Sequence, residues 1–508
     1  MTGAALTGIL LVLALVAAAG TVRPRRYTRV PDFYVNERAV RPWVNGAAIS
    51  SEFTSAAACL GMAGLIATHG GPMLWYPVGA AAGFVVLLAL VVAPLRRSGT
   101  FTLPDFAEWR LGSSRLRRFT TCWVLLIGLV FLVAQFHAAG TVTHLLTGLP
   151  PWTGWCAVAA AAGAVGLAGG VGSMTSVLAS QFWLKLVVFV GVGLVLWCTW
   201  RYTRLPEPDV AGPAASFADT GVGGGLAGAA DPSLPGVLAV LLACALGTAG
   251  LPHVVARVYA SADGRGARRS IVAAQVLIGV FFVAPPLLGL LGHLRAADLP
   301  EGKVTADEIV LLLPSQMLPG APGDVLTALM SAGAFAAFLA TSCGVLGAVA
   351  GAVSACVSRA GVRAYRTVLA LAVPAVLGLT AVTSPGSSVV MLLVAFSLSA
   401  ATFTPLLVLG IWWWRLTSAG VVAGFLAGGG LTVVAMGLAQ AGVRTGGVLA
   451  YPVALAVPLA FLAMVVISLL TPGHLPPGVP AMMARMHLPE QSVMPGPDRS
   501  SYGNDHST

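Results

Sequence analysis

Charge is what this sequence lacks. Of 508 residues only 18 are acidic and 9% are charged, while 57% are apolar and the mean hydropathy is +0.88. A soluble chain of this length needs far more polar surface to cover itself, which excludes a water-soluble globular protein. Lysine is nearly absent as well: 26 of the 28 basic residues are arginine, the exceptions being Lys185 and Lys303. The arginines fall in short loops between apolar runs and not on one basic face, so the net charge of +10 reports membrane orientation and no nucleic-acid partner. The seven cysteines lie in apolar runs without paired spacing, which indicates neither a disulfide framework nor a metal site. GxxxxGK[ST], HExxH and GxSxG are also missing, so the chain reads as no enzyme, and transport by it would have to run on an ion gradient.

What is present is a series of apolar stretches long enough to cross a bilayer, about 20 residues each. They fall near 3–20, 43–68, 74–95, 119–147, 153–170, 176–200, 236–258, 270–294, 323–356, 365–383, 388–413, 418–440 and 450–471, thirteen in all. The first has no basic residue before its apolar core and a cluster after it (Arg23, Arg25, Arg26, Arg29), which predicts an anchor with its N-terminus outside and not a cleaved signal. Alternating sides from that start puts twenty arginines in the inside loops 21–42, 94–118, 257–269 and 357–367 with Arg415, and two more in the tail. The outside loops hold only Arg201, Arg204, Arg295, Lys303 and Arg444. The N-terminus is therefore expected outside and the C-terminus in the cytoplasm of a plasma-membrane protein.

Residues 1–42 read as anchor and basic loop, 43–200 as a first five-span block, 201–235 as an outside loop, 236–413 as a second five-span block, and 414–471 as two further spans. The tail 472–508 is expected to be disordered, and the outside loops 201–235 and 295–322 to carry short surface helices. An odd number of spans gives the two blocks opposite topologies, the arrangement of inverted-repeat transporters with two broken helices meeting at the midplane.

Each block opens on a span with the interruption such folds need. In the second it is Leu246-Gly-Thr-Ala-Gly-Leu-Pro-His253, where Gly247 and Gly250 can leave helical geometry and Pro252 suits the first position of a restarted helix. That restart offers an anion the free N–H groups of its first turn; the alternative is a plain proline kink. In the first block it is Ile49-Ser-Ser-Glu-Phe-Thr-Ser55. Glu52 costs roughly 3 kcal/mol to insert, so it must face a cavity or a partner: either a cation-coupling or proton-titratable group, or a carboxylate paired with a hydroxyl or backbone N–H. Ala340-Thr-Ser-Cys343 in the ninth span offers hydroxyls suited to a hard cation, or to helix packing. Lys185, one turn from Gln181, reads as snorkelling to the interface, and Gln135, His137 and His144 as a polar stripe that lines a cavity or bonds between helices.

The run Gly247-Thr-Ala-Gly-Leu-Pro-His-Val-Val-Ala-Arg257 with Ser261-Ala-Asp263 and Ala267-Arg-Arg-Ser270 resembles the sodium:solute symporter family, and within it the cation/acetate (monocarboxylate) permeases. Asp32-Phe-Tyr-Val35, Pro42-Trp-Val-Asn-Gly46, Phe101-Thr-Leu-Pro-Asp105, Leu132-Val-Ala-Gln135, Gly169-Gly170 and Ser331-Ala-Gly-Ala-Phe335 extend the resemblance over residues 30–470. It implies an all-α polytopic fold with a leucine-transporter-type core of two inverted five-helix repeats, here spans two to eleven. It further implies a sodium site of the Ser50 and Phe53 carbonyls and the Thr341 and Ser342 hydroxyls. Glu52 stands where the family usually has Asp. The implied substrate site lies between Glu52, Gln135 and the stretch Thr248, Gly250, Leu251, Pro252 and His253, with no Arg or Lys evident there, which suits a small, singly charged or neutral solute. The resulting expectation is symport of a short monocarboxylate such as acetate, propionate or pyruvate with Na+ or H+ and no cofactor. The competing substrates are proline, pantothenate and urea, and the competing classes a membrane sensor and a channel. The glycines at Gly166, Gly169, Gly170 and Gly172 are expected to turn the chain and pack after the fifth span.

Overall fold

The computed structural model describes residues 2–21, 40–55, 57–168, 171–202, 233–294, 306–357, 361–383, 388–440 and 451–489. Among these the chain is helical, and its helices follow the apolar runs. The first, α1 (Thr2–Thr21), is a twenty-residue apolar helix. The next crossing is a bent pair, α2 (Pro42–Phe53) and α3 (Met62–His69), joined through a π-turn at Ala57–Gly61 and bent by 66°. It is followed by α4 (Trp75–Val86) and α5 (Val92–Ser98), which form one crossing over 71–98 around a second π-turn, and by the short α6 (Leu103–Leu111). Three single helices complete the first block: α7 (Ser114–Thr147), α8 (Pro151–Ala168) and α9 (Val171–Tyr202).

The second block opens on another bent pair, α10 (Leu234–Gly250) and α11 (Pro252–Val258), at 43°. Then come α12 (Gly264–Phe281) and α13 (Ala284–Leu294) as one crossing, the short α14 (Ala306–Met317), and α15 (Ala321–Val357). Further on lie α16 (Val362–Val382) and the pair α17 (Ser388–Ala401) and α18 (Phe403–Trp412). A crossing over 418–439, then α19 (Pro452–Leu470) and the terminal α20 (Val479–His487), complete the chain. Among the described residues, twelve crossings are long and apolar enough to span a membrane when each bent pair counts as one, and α1 adds the remaining apolar helix of the sequence reading.

The helices pack in a way that places the two broken ones at the centre. The first half, α2, lies against α12, α9 and α15, while α10 lies against α4 and α17. The 37-residue α15 is buried along most of its length because its sequence is almost continuously apolar and small, the composition that lets neighbouring helices approach closely in lipid.

Three expectations change. α14 is no surface helix: Ile309, Val310, Leu311 and Leu313 are fully buried against α3 and α15. Part of the tail is helical: α20 (Val479–His487) packs on α5 with Met486 fully buried. The eighth crossing starts at Gly264, six residues earlier than its apolar run, since Asp263 caps the helix by accepting from the Gly266 N–H. The Gly169-Gly170 pair, the basic cluster at 23–29 and the loop segments 203–232 and 295–305 lie outside the described residues.

Candidate functional site

The first break forms where hydroxyls compete with the helix. The Ser50 carbonyl accepts from both the Thr54 N–H at 2.9 Å and Thr54 Oγ1 at 2.7 Å, closing α2, and Phe53 O accepts from the Ser55 N–H at 2.8 Å. Both carbonyls of the implied sodium site, Ser50 and Phe53, are thus engaged within the chain. Of the implied hydroxyls, Thr341 Oγ1 donates to the Glu52 carbonyl at 2.9 Å, whereas Ser342 Oγ is buried with no partner.

The second break is narrower than its sequence suggests. α10 stays helical through Gly250, so Gly247 and Gly250 do not turn the chain; Leu251 alone is extended (φ −60°, ψ 119°), as a residue before proline prefers, and Pro252 begins α11. The glycines serve close approach instead: a Cβ on Gly250 would come within 2.8 Å of both Ser399 Oγ and Thr404 Oγ1. Ser399 donates to the Gly247 carbonyl at 2.8 Å and Thr404 to the Leu246 carbonyl at 2.6 Å, satisfying the end of α10. Thr248 Oγ1 bonds only its own helix, at Cys244 O.

The two breaks are joined by a buried ion pair. Arg257 in α11 donates from Nε to Glu52 Oε1 at 2.8 Å and from Nη2 to the same oxygen, while Nη1 reaches Thr175 Oγ1 at 2.8 Å. Glu52 is 1% exposed and Arg257 4%. The sequence reading counted Arg257 as an inside-loop charge and found no cation near the substrate stretch; the structure corrects both, because α11 turns Arg257 back into the helices beside Pro252 and His253. Lys185 is likewise no snorkelling residue. It is fully buried, and its Nζ donates to Ser51 O at 2.6 Å, Thr54 O at 2.9 Å and Thr54 Oγ1 at 3.1 Å.

Beside the pair lies a cavity of about 60 Å³, lined among others by Pro252, His253, Arg257, Gly344 and Tyr365. His253 Nε2 is buried without a partner. A row of rings, Phe53, Phe396, Phe131 and His253, runs from the first break to the second at centroid spacings of 6.0, 6.3 and 5.0 Å. Gln135 is buried near this row with neither amide atom bonded and does not line the cavity. His137 bonds Thr383 between helices at 2.9 Å and His144 the nearby Leu149 carbonyl, so the polar stripe of α7 serves packing at those two positions. Five residues that meet the two breaks were not assigned to them from the sequence: Arg257, Lys185, Thr175, Ser399 and Thr404. The only available signal was that the first two are charges next to or within apolar runs.

The chain is 27% identical over 448 residues to the "Uncharacterized symporter YwcA" of Bacillus subtilis (strain 168), a match covering 84% of this chain and 83% of that protein. In three dimensions it is similar to a Na+-coupled sialic acid symporter solved in a substrate-bound outward-open state, with a TM-score of 0.70 at 13% identity, covering 92% of this chain and 97% of the other. It is also similar to MhsT in complex with L-phenylalanine, with a TM-score of 0.52 at 13% identity over 85% and 99% of the two chains. These likenesses bear out the leucine-transporter-type fold. The sequence profile of the sodium:solute symporter family matches residues 33–428, and this multi-pass membrane protein, a transporter and not an enzyme, belongs to that family.

Proposed function

We propose that the chain is a secondary active symporter that takes up a short monocarboxylate of the acetate kind together with a cation, by alternating access. The cavity at the second break carries this reading. Its 60 Å³ is room for roughly four water-sized groups, which is the number of heavy atoms in acetate. Arg257 gives the cavity a positive wall and His253 Nε2 an unused polar atom. Urea brings no charge for the arginine.

The two blocks 43–200 and 236–413 act in this proposal as inverted repeats, with the N-terminus outside and the C-terminus in the cytoplasm. Family membership supports sodium as the coupling cation; the occupation of the first break by Lys185 favours the proton, the second reading. Uptake of labelled acetate into proteoliposomes, under an inward sodium or proton gradient, tests the proposal. Accumulation that needs one of the gradients is the expected result. Accumulation of proline or urea with none of acetate would overturn the substrate assignment, and equilibration without accumulation would make the chain a channel.

A further inference from the structure

The broken helices are finished by groups from equivalent places in the two blocks, yet by different chemistry. Lys185 lies on α9, the fifth crossing of the first block, and caps α2; Ser399 and Thr404 lie on the fifth crossing of the second and cap α10. At the second break neutral hydroxyls suffice for the orphan carbonyls. At the first an ammonium does the same task. Its three acceptors, Ser51 O, Thr54 O and Thr54 Oγ1, match the three N–H donors of a charged lysine, whereas a neutral amine has two. A cation at the C-terminal end of a helix is also where the helix dipole favours one.

We propose that Lys185 is the resident cation of the first break: its ammonium takes the Ser51 and Thr54 carbonyls that a free sodium ion would need there, so the wild-type chain binds no sodium at this break and transports its solute without it. The inference rests on the cation-coupled reading above. Of the other oxygens near the break, the Ser50 and Phe53 carbonyls accept bonds within the chain and the Glu52 carbonyl accepts from Thr341, which leaves Ser51 Oγ, Ser342 Oγ and Glu52 Oε2 without a partner and no backbone carbonyl of the break unengaged. The titratable groups that act on Lys185 are Glu52, itself paired with Arg257, and the Cys59 thiol. Of the helices packed on α9, α1 has no titratable residue and α12 carries its arginines in its first two turns. α13 has only His293, bonded to Ala67 O, and α14 and α15 have acidic groups only in their first turns.

The test compares purified wild type with Lys185→Ser, which frees the carbonyls and adds a hydroxyl. Thermal unfolding in detergent is followed as sodium chloride replaces choline chloride at constant ionic strength. The wild-type midpoint should not move, and that of Lys185→Ser should rise with sodium. In proteoliposomes, wild-type acetate uptake should be the same with sodium or choline outside. A sodium-specific rise of the wild-type midpoint, or wild-type uptake that falls at least tenfold without sodium, overturns the inference. So does a folded Lys185→Ser that sodium leaves unchanged. Should that variant not fold, the wild-type measurements decide alone. The unfolding experiment needs no solute, so a failure of the acetate assignment shows separately, as absent uptake beside an unchanged sodium result.

Discussion

Glu52 and Arg257 meet 205 positions apart in sequence, with Arg257 Nε 2.8 Å from Glu52 Oε1, and each is the other's compensation for lying inside an apolar helix bundle. Because one stands at the end of α2 and the other in α11, the pair ties the two broken crossings to each other. A change of angle at either break therefore acts on the same ion pair.

Removing one charge should be worse than removing both. Glu52→Gln leaves Arg257 buried without its counter-ion, a loss of about 3–5 kcal/mol, and should abolish coupled uptake. The double variant Glu52→Met/Arg257→Met should regain much of the thermal stability and none of the transport. Wild-type uptake by Glu52→Gln, read in proteoliposomes, would reduce the pair to a packing feature.

Gly344 leaves the space that the Glu52 carboxyl fills: a Cβ there would sit 2.4 Å from the carboxyl carbon. Gly344→Ala should therefore displace the pair and slow initial uptake, by at least the tenfold that 1.4 kcal/mol represents. Gly191→Ala, on α9 with nothing within 4 Å of the added Cβ, should behave as wild type in the same assay.

Pro252 fixes Leu251 in extended geometry and so keeps α10 and α11 apart. Pro252→Ala removes that restriction and should weaken solute binding by an order of 1 kcal/mol, about fivefold in apparent KM for acetate. An unchanged KM would leave Pro252 as a kink with no part in binding.

The hydroxyl caps of α10 can be tested one at a time. Ser399→Ala strands the buried Gly247 carbonyl, one of the last four of α10, which costs about 1–3 kcal/mol, and should lower the unfolding midpoint, while Thr404→Val removes only a second bond to the Leu246 carbonyl and should lower it less. Ser397→Ala loses only a bond to the carbonyl four residues back in its own helix and should stay within roughly 0.5 kcal/mol of wild type.

The crossings and their two interruptions were legible because both depend on short-range pattern: runs of apolar residues of bilayer length, a proline after glycines, a carboxylate among hydroxyls. Pro252 lies where the restarted helix begins, and Glu52 lies in the last turn of α2. Partners were not legible. Nothing near Lys185 says that its ammonium ends on Ser51 and Thr54, more than 130 residues away, and Arg257 looks like a loop charge until α11 bends it inward. The same holds for three loop arginines counted for orientation. Arg96 binds the Ser261 and Ala262 carbonyls, Arg110 those of Gly410, Trp413 and Trp414, and Arg117 that of Ala355, so they tie turns and helix ends together as well as marking a side. The tail failed for another reason: its Pro and Gly content hid the short apolar face around Met486 that docks on α5.

The three ionised groups of the breaks, Glu52, Arg257 and Lys185, do not cancel. With Lys185 as an ammonium they sum to one positive charge held deep among the crossings. Moving one elementary charge through the whole transmembrane potential is worth about 2.3 kcal/mol per 100 mV. In the proposed symport a bound monoanion would bring that sum to zero and its coupling cation would restore it, so the empty and the fully loaded carrier would hold the same charge at the breaks, and only a carrier loaded with the anion alone would be neutral there.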